Sequence, residues 1–229
     1  FSQRGVMNLA HNLHDVRELK RRTHANRLNG IDCEWLNVEQ VKKFCPIINC
    51  SPDIRYPVMG STLQRRAGTA RHDAVAWGYA RGADAMGVDI IQNCEVKGIK
   101  RNGDCVEGIE TSKGFIKTKK IGVVAAGHSS VIANMVDIKL PLESKPLQAL
   151  VSEPVKPILD TVVMSNAVHA YVSQSDKGEL VIGAGTDAYV SYTQRGSHDV
   201  VEGTLKAILE LYPIFSRMKM LRQWGGIVD

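Results

Sequence analysis

The 229-residue sequence lacks an apolar run of eighteen or more residues and lacks a basic-then-apolar leader, so it signals neither a membrane-spanning helix nor a secretory signal. This reads as a cytoplasmic chain. It has only five cysteines (Cys33, Cys45, Cys50, Cys94, Cys105), an odd set without a C-x-x-C pair, which excludes a disulfide framework and a zinc site and leaves reduced core or loop thiols. Charge of one sign is not concentrated either. The formal net charge is +5, but Lys and Arg are interspersed with nearly as many Asp and Glu, which argues against a nucleic-acid surface and for local anion sites. No G-x-G-x-x-G loop is present. Gly183-Ala184-Gly185-Thr186-Asp187-Ala188 does not replace it, since the third glycine is missing and no clear helix follows at once.

What is there begins with hydrophobic content: 44% apolar residues suffice for a sizeable core, and the length suits one large domain or parts of two. A short strand over Gly5–Ala10 leads to a basic amphipathic helix through Asp15–Arg27, ended by Asn29-Gly30. His11 and His14 lie three apart without matching carboxylates, so they read as solvent-facing helix residues rather than metal ligands. Ile31–Leu36 reads as a strand, and Asn37–Pro46 as a short capped helix stopped by proline. A basic loop, Gln64–Thr69, then runs into a helix on which Val75, Ala76, Tyr79, Ala80, Ala83 and Met86 form one buried face, with His72, Arg81 and Asp84 elsewhere and Thr69 or Asp73 as cap. Such a helix start aims free N–H groups and a positive dipole end forward, and Arg65, Arg66 and Arg71 add charge for an anion such as phosphate. Spacing alone favours a surface histidine and a solvated arginine face.

Gly87–Val96 reads as a Gly-led buried strand, followed by an antiparallel meander through Lys97–Lys100, Val106–Thr111 and Phe115–Thr118 with two-residue turns. Lys120–Ala126 is an apolar strand ending in small residues, which let a ligand approach the backbone. Further strands run over Leu147–Val151, Thr161–Met164, Ala167–Val172 and Leu180–Gly183. Val200–Tyr212 has helix period and stops at Pro213, and Met218–Val228 closes with an extended segment holding Arg222, Trp224, Gly225 and Gly226. The order implies a mixed α/β (α+β) fold.

Thr69-Ala70-Arg71-His72-Asp73-Ala74-Val75-Ala76-Trp77-Gly78-Tyr79-Ala80-Arg81 closely resembles a segment of the beta subunits of heterotetrameric sarcosine oxidase. The resemblance extends through Phe1–Gly5, Val88–Val96, Ala126–Ser130, Pro146–Glu153, Gly178–Gly185 and Arg222–Asp229. That family lies in the D-amino-acid-oxidase superfamily. The resemblance implies a partial FAD-binding Rossmann-like domain plus an antiparallel-sheet substrate domain. The expected divisions are residues 1–60 as substrate-domain part with connecting helices, 61–139 as FAD-domain part, 140–221 as substrate domain, and 222–229 returning to the FAD domain. The glycine-rich loop and the C-terminus are expected outside the chain, which starts at Phe1 and reads as an internal fragment.

The resemblance further implies non-covalent FAD and an FMN attached covalently to His72 through its 8α-methyl group. Sarcosine would lose a hydride to FAD, electrons would pass to FMN and oxygen would leave as hydrogen peroxide, while an alpha-subunit folate site gives glycine and 5,10-methylenetetrahydrofolate. Alpha, gamma and delta subunits are the implied partners, with no nucleic acid, membrane or metal. By the same resemblance Val96 meets the FAD adenine, Ala126 and Gly127 its ribose-pyrophosphate side, and His169 and Arg222 the flavin interface. Arg71 and Arg66 would neutralise FMN phosphate or the reduced ring, with a plain surface role as the alternative. Arg66-Ala67-Gly68 stands where the family has a glycine pair, and Gly82 costs its helix about 1 kcal/mol relative to alanine. The fragment is expected to be inactive alone. Two other readings stay open: a single-flavin N-methyl amino acid oxidase or dehydrogenase, and a non-catalytic scaffold subunit.

Overall fold

The computed structural model describes residues 1–229, which form two compact units. The first comprises Phe1–Ala70, Pro146–Ala188 and Thr193–Gly226; the second comprises Arg71–Lys145, Tyr189–Tyr192 and Ile227–Asp229. In chain order the elements are β1 (Ser2–Gln3), β2 (Val6–Ala10), α1 (Leu13–Leu28), β3 (Cys33–Leu36), α2 (Val38–Phe44), β4 (Gly60–Gln64), β5 (Gly68–Thr69), α3 (His72–Ala85), β6 (Val96–Asn102), β7 (Cys105–Thr111) and β8 (Gly114–Lys117). There follow α4 (Ser129–Asn134), β9 (Lys145–Pro154), β10 (Val162–Ser165), β11 (Ala170–Gln174), β12 (Glu179–Thr186), α5 (His198–Leu211) and β13 (Met220–Val228).

The first unit is built on an eight-stranded sheet of order β13-β9-β12-β11-β10-β2-β4-β3. From β9 to β3 the pairs are antiparallel except β10 with β2, which run parallel, so the sheet is mixed where an antiparallel one was expected. Registered pairing sets Leu150, Ile182, Val172, Val163, Met7 and Leu63 in one row across six strands, all buried. Side chains alternate faces along a strand, so this row points to one side, where Val41 of α2 and Val201, Ile208 and Leu211 of α5 complete a single core. β4 pairs with β2 and β3, and the chain passes from the first unit to the second after Ala70 and back after Lys145.

Two buried polar side chains brace this unit. Gln174, at the end of β11, accepts from the amides of Ile158 and Leu159 and donates to the carbonyls of Val155, Lys156 and Gly178, so its amide ties down the segment between β9 and β10. His11 is buried at the end of β2, before α1 begins, and so is not the solvent-facing helix residue expected. Its Nδ1 donates to the Tyr56 carbonyl at 3.0 Å, which leaves Nε2 to accept from the Ser165 hydroxyl at 2.8 Å. Burial holds the imidazole below its ordinary value of 6.5, opposed by the backbone bonds and by Asp15.

The second unit departs furthest from expectation. The meander is present as the three-stranded antiparallel sheet β6-β7-β8. However, Gly87–Glu95 and Lys119–Ala125 form no strands, although their sequences are apolar and extended strands were expected there. A strand needs another strand to take its N–H and C=O groups in register, and neither segment has one, although Glu95 bonds to Ser112 through both its N–H and its C=O. Likewise α3 forms but buries none of its residues: Tyr79 and Met86 are 79% and 86% exposed. Its N-cap is Arg71, with no side-chain cap, instead of Thr69 or Asp73.

Two outcomes check this account. Gln174→Leu, which removes hydrogen bonds to five backbone groups including the buried Leu159 amide, should cost roughly 2 kcal/mol or more of unfolding free energy in urea titration. Because the folded-state pKa of His11 is depressed, the unfolded chain binds its proton first. Stability should therefore be full above about pH 6.5 and fall as pH drops below it, with His11→Asn flattening that slope.

Candidate functional site

The row of side chains next to the core row points to the opposite face of the large sheet. It runs through Gly183, Tyr171, Met164, Asn8, Thr62 and Trp35, each registered on its neighbour. At the β3 end α1 packs on it: the Lys20 ammonium lies over the Trp35 ring at 5.1 Å, and the Cys33 thiol meets the Thr23 hydroxyl. Towards the centre Met164 and Tyr171 stay partly open, at 36% and 37% exposure. The Tyr171 ring lies directly against Gly183, where an added Cβ would stand 2.0 Å from it, so only glycine admits the ring. Burial raises the Tyr171 phenol above its ordinary value, keeping it a neutral hydrogen-bonding group. Beside Met164, the buried Oδ1 of Asn8 has no hydrogen-bond partner. The open part of this face therefore combines a flat aromatic and a thioether, which suits a small, partly apolar ligand.

Sequence reasoning did not single out these residues. Met164 and Tyr171 sit inside apolar strands, and only the β10-β11 register brings them side by side. The visible signal was the alternation of large and small residues around Gly183, which is too general to name a site.

The residues expected to act at a site divide between the units. In the first, Arg66 lies exposed with its Nε 3.8 Å from Asp32, and Arg65 pairs with Glu34 at 2.5 Å. His169 stands exposed in the turn between β10 and β11 with φ +48°, a left-handed conformation, so it is not a sheet histidine. Arg222 is exposed on β13, its guanidinium 5.9 Å from the centre of the Trp224 ring. In the second unit, Arg71 and His72 are exposed at the start of α3, and Arg71 lies 4.0 Å from Asp73. Because α3 begins at His72, that residue precedes Val75 and Ala76 by three and four positions and heads the apolar stripe; it is not off it as expected. The first-turn amides of α3 keep their free N–H groups.

Val96 opens β6 rather than ending a strand, because the residues before it form no strand. Ala126 and Gly127 form a 3-10 turn ahead of α4 with Ala126 at φ +43°, not a strand end. Gly127 is buried: a Cβ there would lie 2.5 Å from Ile227, and its carbonyl accepts from the Ser144 hydroxyl. No group of three or more His, Cys, Asp or Glu side chains is placed to hold a metal. No helix is long and apolar enough to cross a membrane.

A family model described as DAO, FAD dependent oxidoreductase, matches residues 1–229. The chain is 59% identical over 229 residues to the sarcosine oxidase subunit beta of an Arthrobacter species and 55% identical to that of Rhodobacter capsulatus, in each case over its whole length. It spans only 56% and 55% of those relatives. Among solved structures it resembles an L-proline dehydrogenase from P. horikoshii (TM-score 0.87, 22% identity, 99% of this chain and 60% of that one). It also resembles a glycine oxidase from Geobacillus kaustophilus (TM-score 0.84, 18% identity, 99% and 59%).

The contact of Tyr171 with Gly183 is open to a double-mutant cycle. Gly183→Val should destabilise by about 1–3 kcal/mol in thermal unfolding, and much of that loss should vanish when Tyr171→Ala is added.

Proposed function

The chain belongs to the FAD-dependent oxidoreductase family matched by its residues 1–229, and from that premise we propose that it is part of a sarcosine oxidase beta subunit. The observation that carries this reading is identity of 53–59% over the whole chain to three proteins of that name. Since the chain spans about 55% of those relatives, the activity belongs to the longer protein: oxidation of the CH–NH bond of N-methylglycine, with glycine and 5,10-methylenetetrahydrofolate as products. That protein works in the cytoplasm with alpha, gamma and delta subunits, and the present stretch alone is inactive.

The residues present are compatible with both flavins. Apolar segments that lack strand partners, Gly87–Glu95 and Lys119–Ala125, leave room in the second unit for the strand and glycine-rich loop of a nucleotide-binding fold. In the full protein those segments are paired, and Val96, Ala126 and Gly127 would hold FAD through their backbone. His72 is exposed at a helix start with free amides and with Arg71 beside it, which suits a tethered, phosphate-bearing FMN. By the same resemblance Arg66 is a candidate for neutralising flavin phosphate, and His169 and Arg222 are candidates for flavin contact. The chemistry the two flavins supply when bound is hydride acceptance at FAD and electron relay through FMN to oxygen, released as hydrogen peroxide.

The chain's own contribution to substrate is the open sheet face. There Tyr171 and Met164 would form an apolar wall beside the N-methyl group, and the groups that bind the substrate carboxylate are expected outside this stretch.

His72→Ala in the full-length protein tests the reading. One flavin should still bleach with sarcosine in stopped-flow spectra, while oxygen turnover falls about tenfold or more. Two reducible flavins in that variant would overturn the assignment. Complete release of flavin from denatured wild type, with turnover intact, would instead establish a single-flavin N-methyl amino acid oxidase or dehydrogenase, and no flavin at all a scaffold subunit.

A further inference from the structure

We propose that Asp187 is a positioning residue for the flavin chemistry, acting through Gln148 to fix the part of β13 that presents Arg222 and Trp224. The inference rests on the flavoenzyme reading above, in which Arg222 is a candidate for flavin contact.

The line of contacts lies within the first unit. Asp187 follows the last residue of β12 and is 4% exposed, and Gln148 on β9 is 1% exposed. Gln148 Nε2 donates to Asp187 Oδ1 and to the Ser197 hydroxyl, each at 3.0 Å. Its Oε1 accepts from the Ser197 amide at 2.9 Å and from Gln223 Nε2 at 3.4 Å. A glutamine amide can turn over and exchange its donor and acceptor ends. Here a carboxylate that accepts and a backbone N–H that donates allow one orientation, so the oxygen faces Gln223, which must answer with its own Nε2.

Packing closes the last step. An added Cβ on Gly196 would stand 1.7 Å from Gln223 Nε2 and 2.7 Å from Gln148 Oε1, so only glycine lets the two amides meet there. The Gly225 amide donates to the Gln194 carbonyl at 2.8 Å, which holds β13 to the same loop from the other side of Trp224. Side chains alternate along a strand, so Arg222 and Trp224 project opposite to Gln223, and the Arg222 guanidinium, 5.9 Å from the centre of the Trp224 ring, shares their side.

Two local losses set this cluster apart from plain packing. Ser197 is the N-cap residue of α5 but makes no side-chain cap, its hydroxyl being turned to Gln148 instead. Asp187 Oδ2 is buried without a hydrogen-bond partner, and a half-satisfied buried carboxylate costs stability that an apolar side chain of similar size would not. Both losses go with the orientation of one amide, and exceptions of this kind gather where function requires them. Gln174, by contrast, bonds through its side chain to backbone groups alone.

The test uses the full-length protein with its bound flavin, read by visible circular dichroism of the flavin, stopped-flow reduction by sarcosine and urea unfolding. Asp187→Asn and Gln223→Leu should each change the flavin circular dichroism and slow reduction about tenfold at saturating sarcosine. The two combined should be no slower than the worse single variant, because both lie on one line of contacts. Gln174→Leu should lower stability and leave the flavin signal as in wild type, which separates positioning from bracing. Wild-type flavin signals and reduction rates in Asp187→Asn and Gln223→Leu, whatever their stability, would overturn the inference and leave the functional reading standing. Flavin that sarcosine does not reduce in wild type would overturn the sarcosine reading, and the circular dichroism of the variants would then decide the inference alone. A full-length protein without flavin would overturn both.

Discussion

The parallel pairing of β2 with β10 is the contact on which the first unit depends. It joins strands from distant parts of the chain, and its register sets Met7 beside Val163 and Asn8 beside Met164. A slip of one residue in this pairing would put the two halves of the row out of step, turning either Met7 and Leu63 or Val163, Val172, Ile182 and Leu150 out of the core. Buried Met7, Val163, Val172 and Leu63 resist that slip through the apolar area they remove from water. The open face opposite is thus a by-product of core packing, which makes it a rigid wall rather than a loop-built site.

The second unit shows the same rule from its other side. Its meander is self-sufficient because each strand finds a partner, whereas Val88, Ile90, Ile91, Val123 and Val124 lie in segments without one and are substantially exposed. With α3 also bare, this unit carries an apolar surface of a kind that isolated soluble domains seldom leave uncovered. Relatives nearly twice as long supply a natural source for the missing neighbours.

Much of the local structure was legible in the residues. Capping at Asn37 with Gln40, the helix stop before Pro213 and the meander all follow from short-range rules, because each is settled within a few residues, although the first turn of the meander is Gly103-Asp104, one residue beyond Asn102-Gly103. What was not legible depends on partners remote in sequence or absent from it. His11 reads as a polar helix residue until Ser165 and Tyr56 are brought to it. Gly87–Val96 reads as a buried strand because its composition anticipates a neighbour that this chain does not supply. The face bearing Tyr171 follows from register alone, and the mixed sheet from a pairing that no local pattern encodes. The His72 motif, by contrast, drew its meaning from resemblance, since spacing gave no reason to prefer a flavin over solvent.

The central functional claim is that one exposed imidazole at the start of α3 is bonded to a flavin in the longer protein. Peptide mass spectrometry of the proteolysed full-length enzyme measures this most directly. The account predicts that the peptide containing His72 carries the added mass of one FMN, with fragmentation locating it on the imidazole. Recovery of that peptide unmodified, from enzyme that turns over sarcosine, would contradict it.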